Sequence, residues 1–329
     1  MLKNQKTITK SFYVFFSVFT IGIIGIAIRI YYTPQEIPLT LDAFRYFLYG
    51  MDASILGNLP INYNFPNTGW PLFLSIIFQV FKFENYLDYM LLQRICSEIF
   101  SVLTIIPLYY LAKRFFNEKL AIVGICFFIF SPFIVENSIL GITDSLFIFL
   151  ISSFLALFFS NKKKAVYSFF LLGLSAIIRY ESLLLIVPTT IIFLSKYRIE
   201  TNVTKFYFIG LALFVGILIP FAFWKIQMGI PDGLLSHLIS GANVAINQGS
   251  INSETTKFNL LLGITSLPKF LAIISLPISF IFIPYAIISF IKNKTWDFRY
   301  LVLFGLFGLI PALYAYGRGY EETRYVFAI

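Results

Sequence analysis

The sequence predicts an all-α, polytopic membrane protein with nine to ten transmembrane helices, and three observations carry that reading. Of 329 residues, 58% are apolar and 12% charged, where about 45–50% and about 25% are ordinary for a soluble domain. The apolar residues gather in runs approaching the roughly 20 residues that cross a hydrocarbon layer. The 25 Lys and Arg punctuate those runs, as membrane topology requires, and form no dense patch of the kind a nucleic-acid binder carries. A soluble fold and a nucleic-acid partner are both excluded on this pattern, and the mean hydropathy of +0.83 agrees. Cys96 and Cys126 lie inside apolar runs; they read as small buried hydrophobes, with no disulfide framework or CxxC motif.

The first span, 11–31, follows Lys3, Lys6 and Lys10 and has no small-residue cleavage site, so it is a signal anchor with a cytoplasmic N-terminus. Residues 32–85 form a long outer loop, rich in proline and aromatic residues, that contains the apolar stretch 72–81. Ten residues are too few to cross, so this stretch is expected to lie in the outer interface. The second span, 86–112, then runs inward and ends on Lys113, Arg114 and Lys119. Further spans are expected at 119–135, 144–160, 165–178, 182–195, 205–224, 268–291 and 299–316, with a second long outer loop at 225–267. The stretch 160–196 is read as a hairpin turning at Arg179-Tyr180-Glu181, which keeps Lys162–Lys164 and Lys196/Arg198 on one side. On this assignment 15 of the 25 basic residues are cytoplasmic, opposed by Glu118, Glu200 and Asp297. The whole chain, 1–329, reads as one transmembrane domain. A tenth span would start at Tyr325, so the chain is expected to be incomplete at its C-terminus.

No Walker A, GxGxxG, GxSxG or HExxH signature is present, which removes the familiar soluble-enzyme classes. A single His237 cannot build a multi-His metal site. The ionisable groups near the membrane all fall on the outer half: Asp42, Arg45 and Asp52; Glu84, Asp88, Arg94 and Glu98; Glu136 and Asp144; Arg179 and Glu181; Arg318, Glu321, Glu322 and Arg324. Charge at such depths is costly and commonly functional. A one-sided polar cavity is expected, not a path through the membrane.

Several phrases, in this order and on this side, resemble the membrane-integral glycosyltransferases of the GT-C type, protein mannosyltransferases among them. They are Leu41-Asp42-Ala43-Phe44-Arg45-Tyr46, Gly57-Asn58-Leu59-Pro60, Gly69-Trp70-Pro71-Leu72, Arg94, Ser131-Pro132, Thr143-Asp144-Ser145-Leu146-Phe147, the stretch ending Ile178-Arg179-Tyr180-Glu181, and Glu322-Thr323-Arg324-Tyr325. Ala43 stands where the second acid of the family's early D-E pair would be.

The resemblance implies transfer of sugar from a polyprenyl- or dolichyl-phosphate carrier to an acceptor hydroxyl on a glycan, lipid or protein. Such a reaction needs one base for the acceptor proton and cations for the departing phosphate. Asp42 is the expected base; the alternative is a loop Asp capping a helix. Arg179, Arg318 and Arg324 are the expected phosphate ligands, the alternative for Arg179 being a buried pair with Glu181 or Asp144. Arg45, Glu136, Asp144 and Glu181 are expected at the substrate. A monophosphate donor needs no metal, so neither metal nor cofactor is expected. Two other classes fit the composition: a transporter or flippase of a lipid-linked sugar, and a polysaccharide polymerase or ligase.

Overall fold

A computed structural model describes residues 2–61, 63, 67–229, 258–275, 288 and 296–327. Every regular element among the described residues is helical, as the apolar runs require: in lipid, a lone segment satisfies its backbone polar groups internally only as a helix. In chain order these are α1 (Leu2–Tyr32), α2 (Leu41–Leu56), α3 (Gly69–Val80), α4 (Tyr86–Leu103), α5 (Ile105–Phe115), α6 (Glu118–Ile129), α7 (Pro132–Ile139), α8 (Asp144–Phe158) and α9 (Lys162–Ile178). There follow a 3₁₀ turn at Tyr180–Leu185, α10 (Ile186–Lys196), α11 (Val203–Gln227), α12 (Leu260–Ile274), α13 (Trp296–Gly317) and a 3₁₀ turn at Thr323–Val326.

Among the described residues, four stretches are long and apolar enough to cross a membrane: Tyr13–Tyr32, Tyr86–Phe115, Val203–Gln227 and Asp297–Gly317. A fifth exists if α6 and α7, bent by 51°, form one broken span. The described helices thus do not supply nine to ten full-length spans, and the reason lies at their ends. Pro132 has no N–H and begins α7 afresh after Ser131, which interrupts the expected 119–135 span. α8 has 15 residues, about 22 Å at 1.5 Å each, short of a bilayer core of about 30 Å. At Thr104 the hydroxyl donates back to the Phe100 carbonyl at 2.7 Å, a bond that bends helices, and the helix restarts there as α5 while Tyr86–Phe115 as a whole stays long enough to cross. α12 begins at Leu260, inside the stretch read as the outer loop 225–267, and runs into the first residues of the expected span 268–291. Most of 276–291, and His237, lie outside the described residues.

The chain divides into two compact units, Met1–Pro60 with Thr68–Lys164, and Ile61–Asn67 with Ala165–Ile329. In the first, α1 lies against α4, α5, α6 and α7. Its Val14, Val18 and Ile21 cover a core of Val102, Ile105, Tyr109, Ala121, Ile125 and Ile129. The helices α2 and α3 pack on each other, with the Phe47 and Phe78 rings 5.8 Å apart. Lys113, Arg114 and Lys164 line one cavity, so the basic clusters after the second and fourth expected spans share one end of this unit. Cys96 is buried and Cys126 half-buried, and both are free thiols.

In the second unit, α12 packs along α13 and α10 packs on α11 and α13. Phe169 of α9 meets Phe193 of α10 at 5.7 Å and Tyr207 of α11 at 6.1 Å. Lys196 pairs with Asp297 at 2.8 Å, joining two residues that the charge rule put on the same side. The turn between α9 and α10 falls at Arg179, whose backbone is extended at φ −144°, ψ 116°.

Candidate functional site

The first unit holds Asp42, Arg45, Glu136 and Asp144. Asp42 is half-buried in the first turn of α2. Helix α2 starts at Leu41 after an N-cap at Thr40, so Asp42 is not the capping residue; its charge sits instead where the helix dipole favours an anion. Leu41, the residue before it, has φ +49°. A left-handed leucine costs roughly 1–2 kcal/mol, and such strain concentrates at functional positions. Arg45 and Glu136 are exposed. Asp144 is 2% exposed at the first position of α8.

What holds Asp42 in place is one face of α4. Gln93, Arg94, Ser97, Glu98 and Ser101 are all buried and share that face by the helical repeat. The Gln93 amide donates to the carbonyls of Ala43 at 3.0 Å and Gly141 at 2.7 Å. The Arg94 guanidinium donates to the carbonyls of Pro34, Ile37 and Pro38 at 3.0, 2.7 and 3.3 Å. Ser97 donates to Ser145 at 3.0 Å, beside Asp144. Glu98 accepts from the Thr33 hydroxyl and lies within electrostatic reach of Arg29 and Arg94. Arg29, fully buried in α1, donates to the Ile129 carbonyl at 3.3 Å and to Ser101 Oγ at 2.9 Å.

Gly141 closes this seam. It sits at φ +72°, with the side chains of Gln93 and Arg94 within 3.5 Å of where a Cβ would stand, so glycine is required there. Its carbonyl also accepts from Trp70 Nε1 at 3.1 Å. Trp70, Tyr49 and Phe47 are 0%, 1% and 2% exposed, so these aromatics of the outer loop are core.

The second unit holds Arg179, Glu181, Arg318 and Arg324. The Arg179 guanidinium pairs with Glu181 at 3.0 Å, which is the alternative the sequence left open for it. Ser182 donates to the Arg179 carbonyl at 3.1 Å and accepts from Ser175 at 3.1 Å, while Tyr180 N–H donates to Asn67 at 3.2 Å. Arg318 donates to the Tyr314 hydroxyl at 3.2 Å. Arg324 pairs with Glu322 and lies over the Tyr325 ring at 5.7 Å. Burial pushes the Tyr180 phenol up to about 12, with Glu181 adding to the rise and Arg179 opposing it. Burial and Glu322 raise the Tyr325 phenol, while Arg324 and Arg179 pull it down. Arg179 and Arg324 therefore act on one tyrosine, and Tyr314 links Arg318 to Tyr180.

Sequence reading missed Arg29, Gln93 and Glu98 as parts of the seam. The available signal was the spacing 93, 94, 97, 98, 101 of polar residues in an otherwise apolar helix. Among the described residues no three His, Cys, Asp or Glu gather as a metal-holding group.

Residues 69–224, just under half of the chain, match the family model of the dolichyl-phosphate-mannose-protein mannosyltransferases. The resemblance to GT-C-type membrane glycosyltransferases stands over that stretch. It contains Arg94, Glu136, Asp144, Arg179 and Glu181; Asp42, Arg45, Arg318 and Arg324 fall outside it. No curated protein and no solved structure gives a significant match.

Proposed function

We propose that this integral membrane protein moves a sugar from a polyprenyl- or dolichyl-phosphate carrier to an acceptor hydroxyl on the outer or lumenal face, with inversion. The family match over 69–224 is the observation that carries the reading. It brings the reaction class; the residues bring the roles. The acceptor oxygen attacks the anomeric carbon from the face opposite the phosphate as Asp42 takes its proton. The bond from that carbon to the phosphate oxygen breaks, and the electron pair leaves on the polyprenyl phosphate. Arg179, Arg318 and Arg324 offset the charge that develops there, through the bidentate contacts guanidinium makes with phosphate. Arg45, Glu136, Asp144 and Glu181 serve the sugar and acceptor hydroxyls. A phosphate leaving group needs neither a general acid nor a metal, so activity is expected to survive chelators. The bilayer-crossing set is nine to ten helices, with the short helices α8, α9 and α10 among them, and the N-terminus is cytoplasmic.

The strain at Leu41 and the grip of Gln93 on the Ala43 carbonyl support Asp42 as the base. The test is sugar release from a panel of labelled polyprenyl-phosphate sugars by the purified chain in lipid. Turnover of one donor is expected to fall by roughly 10²-fold or more in Asp42→Asn. Unchanged turnover in that variant removes Asp42 from the reaction, and transport of the intact lipid-linked sugar without cleavage replaces the reaction class. In Arg179→Ala the donor KM is expected to rise; an unaltered KM takes Arg179 off the phosphate.

A further inference from the structure

In a helix, residues two apart point to different sides and do not meet. Arg179 and Glu181 are two apart and pair at 3.0 Å, so the pair exists only because the chain leaves helical geometry between α9 and the turn at Tyr180–Leu185. Arg179 is extended there, at φ −144°, ψ 116°, and its side chain makes no capping bond to the turn it precedes. Whatever holds the chain in this break decides where the Arg179 guanidinium points.

The serines around the break do not decide it. The Ser182 hydroxyl donates to the Arg179 carbonyl at 3.1 Å, and the Ser175 hydroxyl to the Leu172 carbonyl at 2.8 Å. Serine makes such bonds to carbonyls three or four residues back inside ordinary helices as well. The Tyr180 N–H is different. In a continued helix it would donate to the carbonyl four residues back; here it donates to Oδ1 of Asn67 at 3.2 Å, across 113 residues. Asn67 is half-buried and belongs to the same unit as the turn. Its amide oxygen thus stands in for the helical carbonyl and removes the demand for a partner that would otherwise draw α9 onward through Arg179. The turn packs on α13, which Arg318 follows, and Tyr325 lies within electrostatic reach of both Arg179 and Arg324. The break therefore brings Arg179 to the same tyrosine as Arg324.

We propose that Asn67 is a positioning residue of the donor site: by accepting from the Tyr180 N–H it keeps the chain broken at Arg179 and so presents the guanidinium to the carrier phosphate. This rests on the sugar-transfer reading, in which Arg179 is a phosphate ligand. Asn67 itself touches no reacting atom.

The experiment is a double-mutant cycle of Asn67→Leu and Arg179→Ala in the full chain in lipid, read by donor kinetics and by amide hydrogen exchange. Asn67→Leu keeps the size of the side chain and removes the acceptor. It should raise the donor KM by about 3- to 10-fold, the contribution of one hydrogen bond, and leave kcat within about twofold. Asn67→Asp keeps the acceptor and should keep the KM. In the Arg179→Ala background Asn67→Leu should add nothing, because its effect passes through the guanidinium. Additive effects overturn the proposal. So does an unchanged KM in Asn67→Leu, with or without a fall in kcat. Exchange of the peptide carrying Tyr180 should quicken in Asn67→Leu; exchange at the wild-type rate shows that the turn is held without Asn67 and overturns the proposal whatever the kinetics. A wild type that releases no sugar from any donor refutes the sugar-transfer reading and with it the role at the phosphate, while the exchange result separately decides whether Asn67 holds the turn.

Discussion

Arg94→Ala tests how the loop carrying Asp42 is held. The guanidinium donates to three carbonyls in one turn of chain, those of Pro34, Ile37 and Pro38. Hydrogen bonds from a charged group contribute about 1.5–3 kcal/mol each, and the third, at 3.3 Å, contributes least. Removing Arg94 also takes one of two cations from the surroundings of buried Glu98. Breaking a buried charge network costs about 3–5 kcal/mol, and the two accounts overlap, so a loss of about 3–5 kcal/mol is expected in all. The loop from Pro34 to Pro38 leads within four residues to Asp42. Once its anchor is gone, a shift of about 1 Å at the base is enough to lower turnover on the order of 10²-fold. Arg94 touches no reacting atom in this account and acts by position, so kcat should fall while the donor KM holds. Arg94→Lys keeps the charge but cannot fork to three carbonyls, and should recover part of both losses. The assays are thermal unfolding in detergent and sugar-release kinetics on the same preparations. An Arg94→Ala protein with wild-type kcat would show that the loop is held without this residue and refute the reasoning.

Two further predictions concern the second unit. A Cβ at Gly263 would stand 2.7 Å from the Leu313 carbonyl oxygen and 3.3 Å from the Gly317 nitrogen, both backbone, so Gly263→Ala should push α12 off α13 and cost about 1–3 kcal/mol. Gly216→Ala on α11, with nothing within 4 Å, should cost nothing, and equal melting shifts for the two would refute the packing account. The Tyr180 phenol titrates at about 12 in the fold against about 10 when unfolded. Because the folded value is the higher, the contribution is whole below pH 10 and is lost as pH rises through 12. The wild type should therefore lose about 2–3 kcal/mol more than Tyr180→Phe between those limits. Parallel pH–stability curves would contradict it.

Much of this protein is legible without coordinates. Apolar runs in a chain that is only 12% charged leave no alternative to membrane helices, because lipid offers the backbone no hydrogen bonds. Charge placement put Lys113, Arg114 and Lys164 at one end, and they line one groove; it put Lys196 with Asp297, and they pair. The break at Arg179 was visible because a helix through 160–196 would have carried its two basic clusters to opposite faces of the membrane. These are local or one-dimensional properties, and sequence carries them directly.

Helix ends and buried polarity are different. A run of apolar residues gives composition, whereas the end of a helix depends on competing hydrogen bonds at single positions such as Ser131-Pro132, and among the described residues four or five stretches are long and apolar enough to cross. Whether a polar residue is buried depends on partners distant in the chain. Arg94 reaches carbonyls 56 to 60 residues away, and Arg29 reaches Ile129 across 100. Trp70, in a loop expected on the outer side, is fully buried, and its N–H finds Gly141 after 71 residues. Sequence alone determined that the chain is helical and membrane-embedded, and the family it resembles. Only the tertiary structure decided which charges lie inside and what holds them, because a buried charge is tolerated through bonds that exist only once distant segments have met.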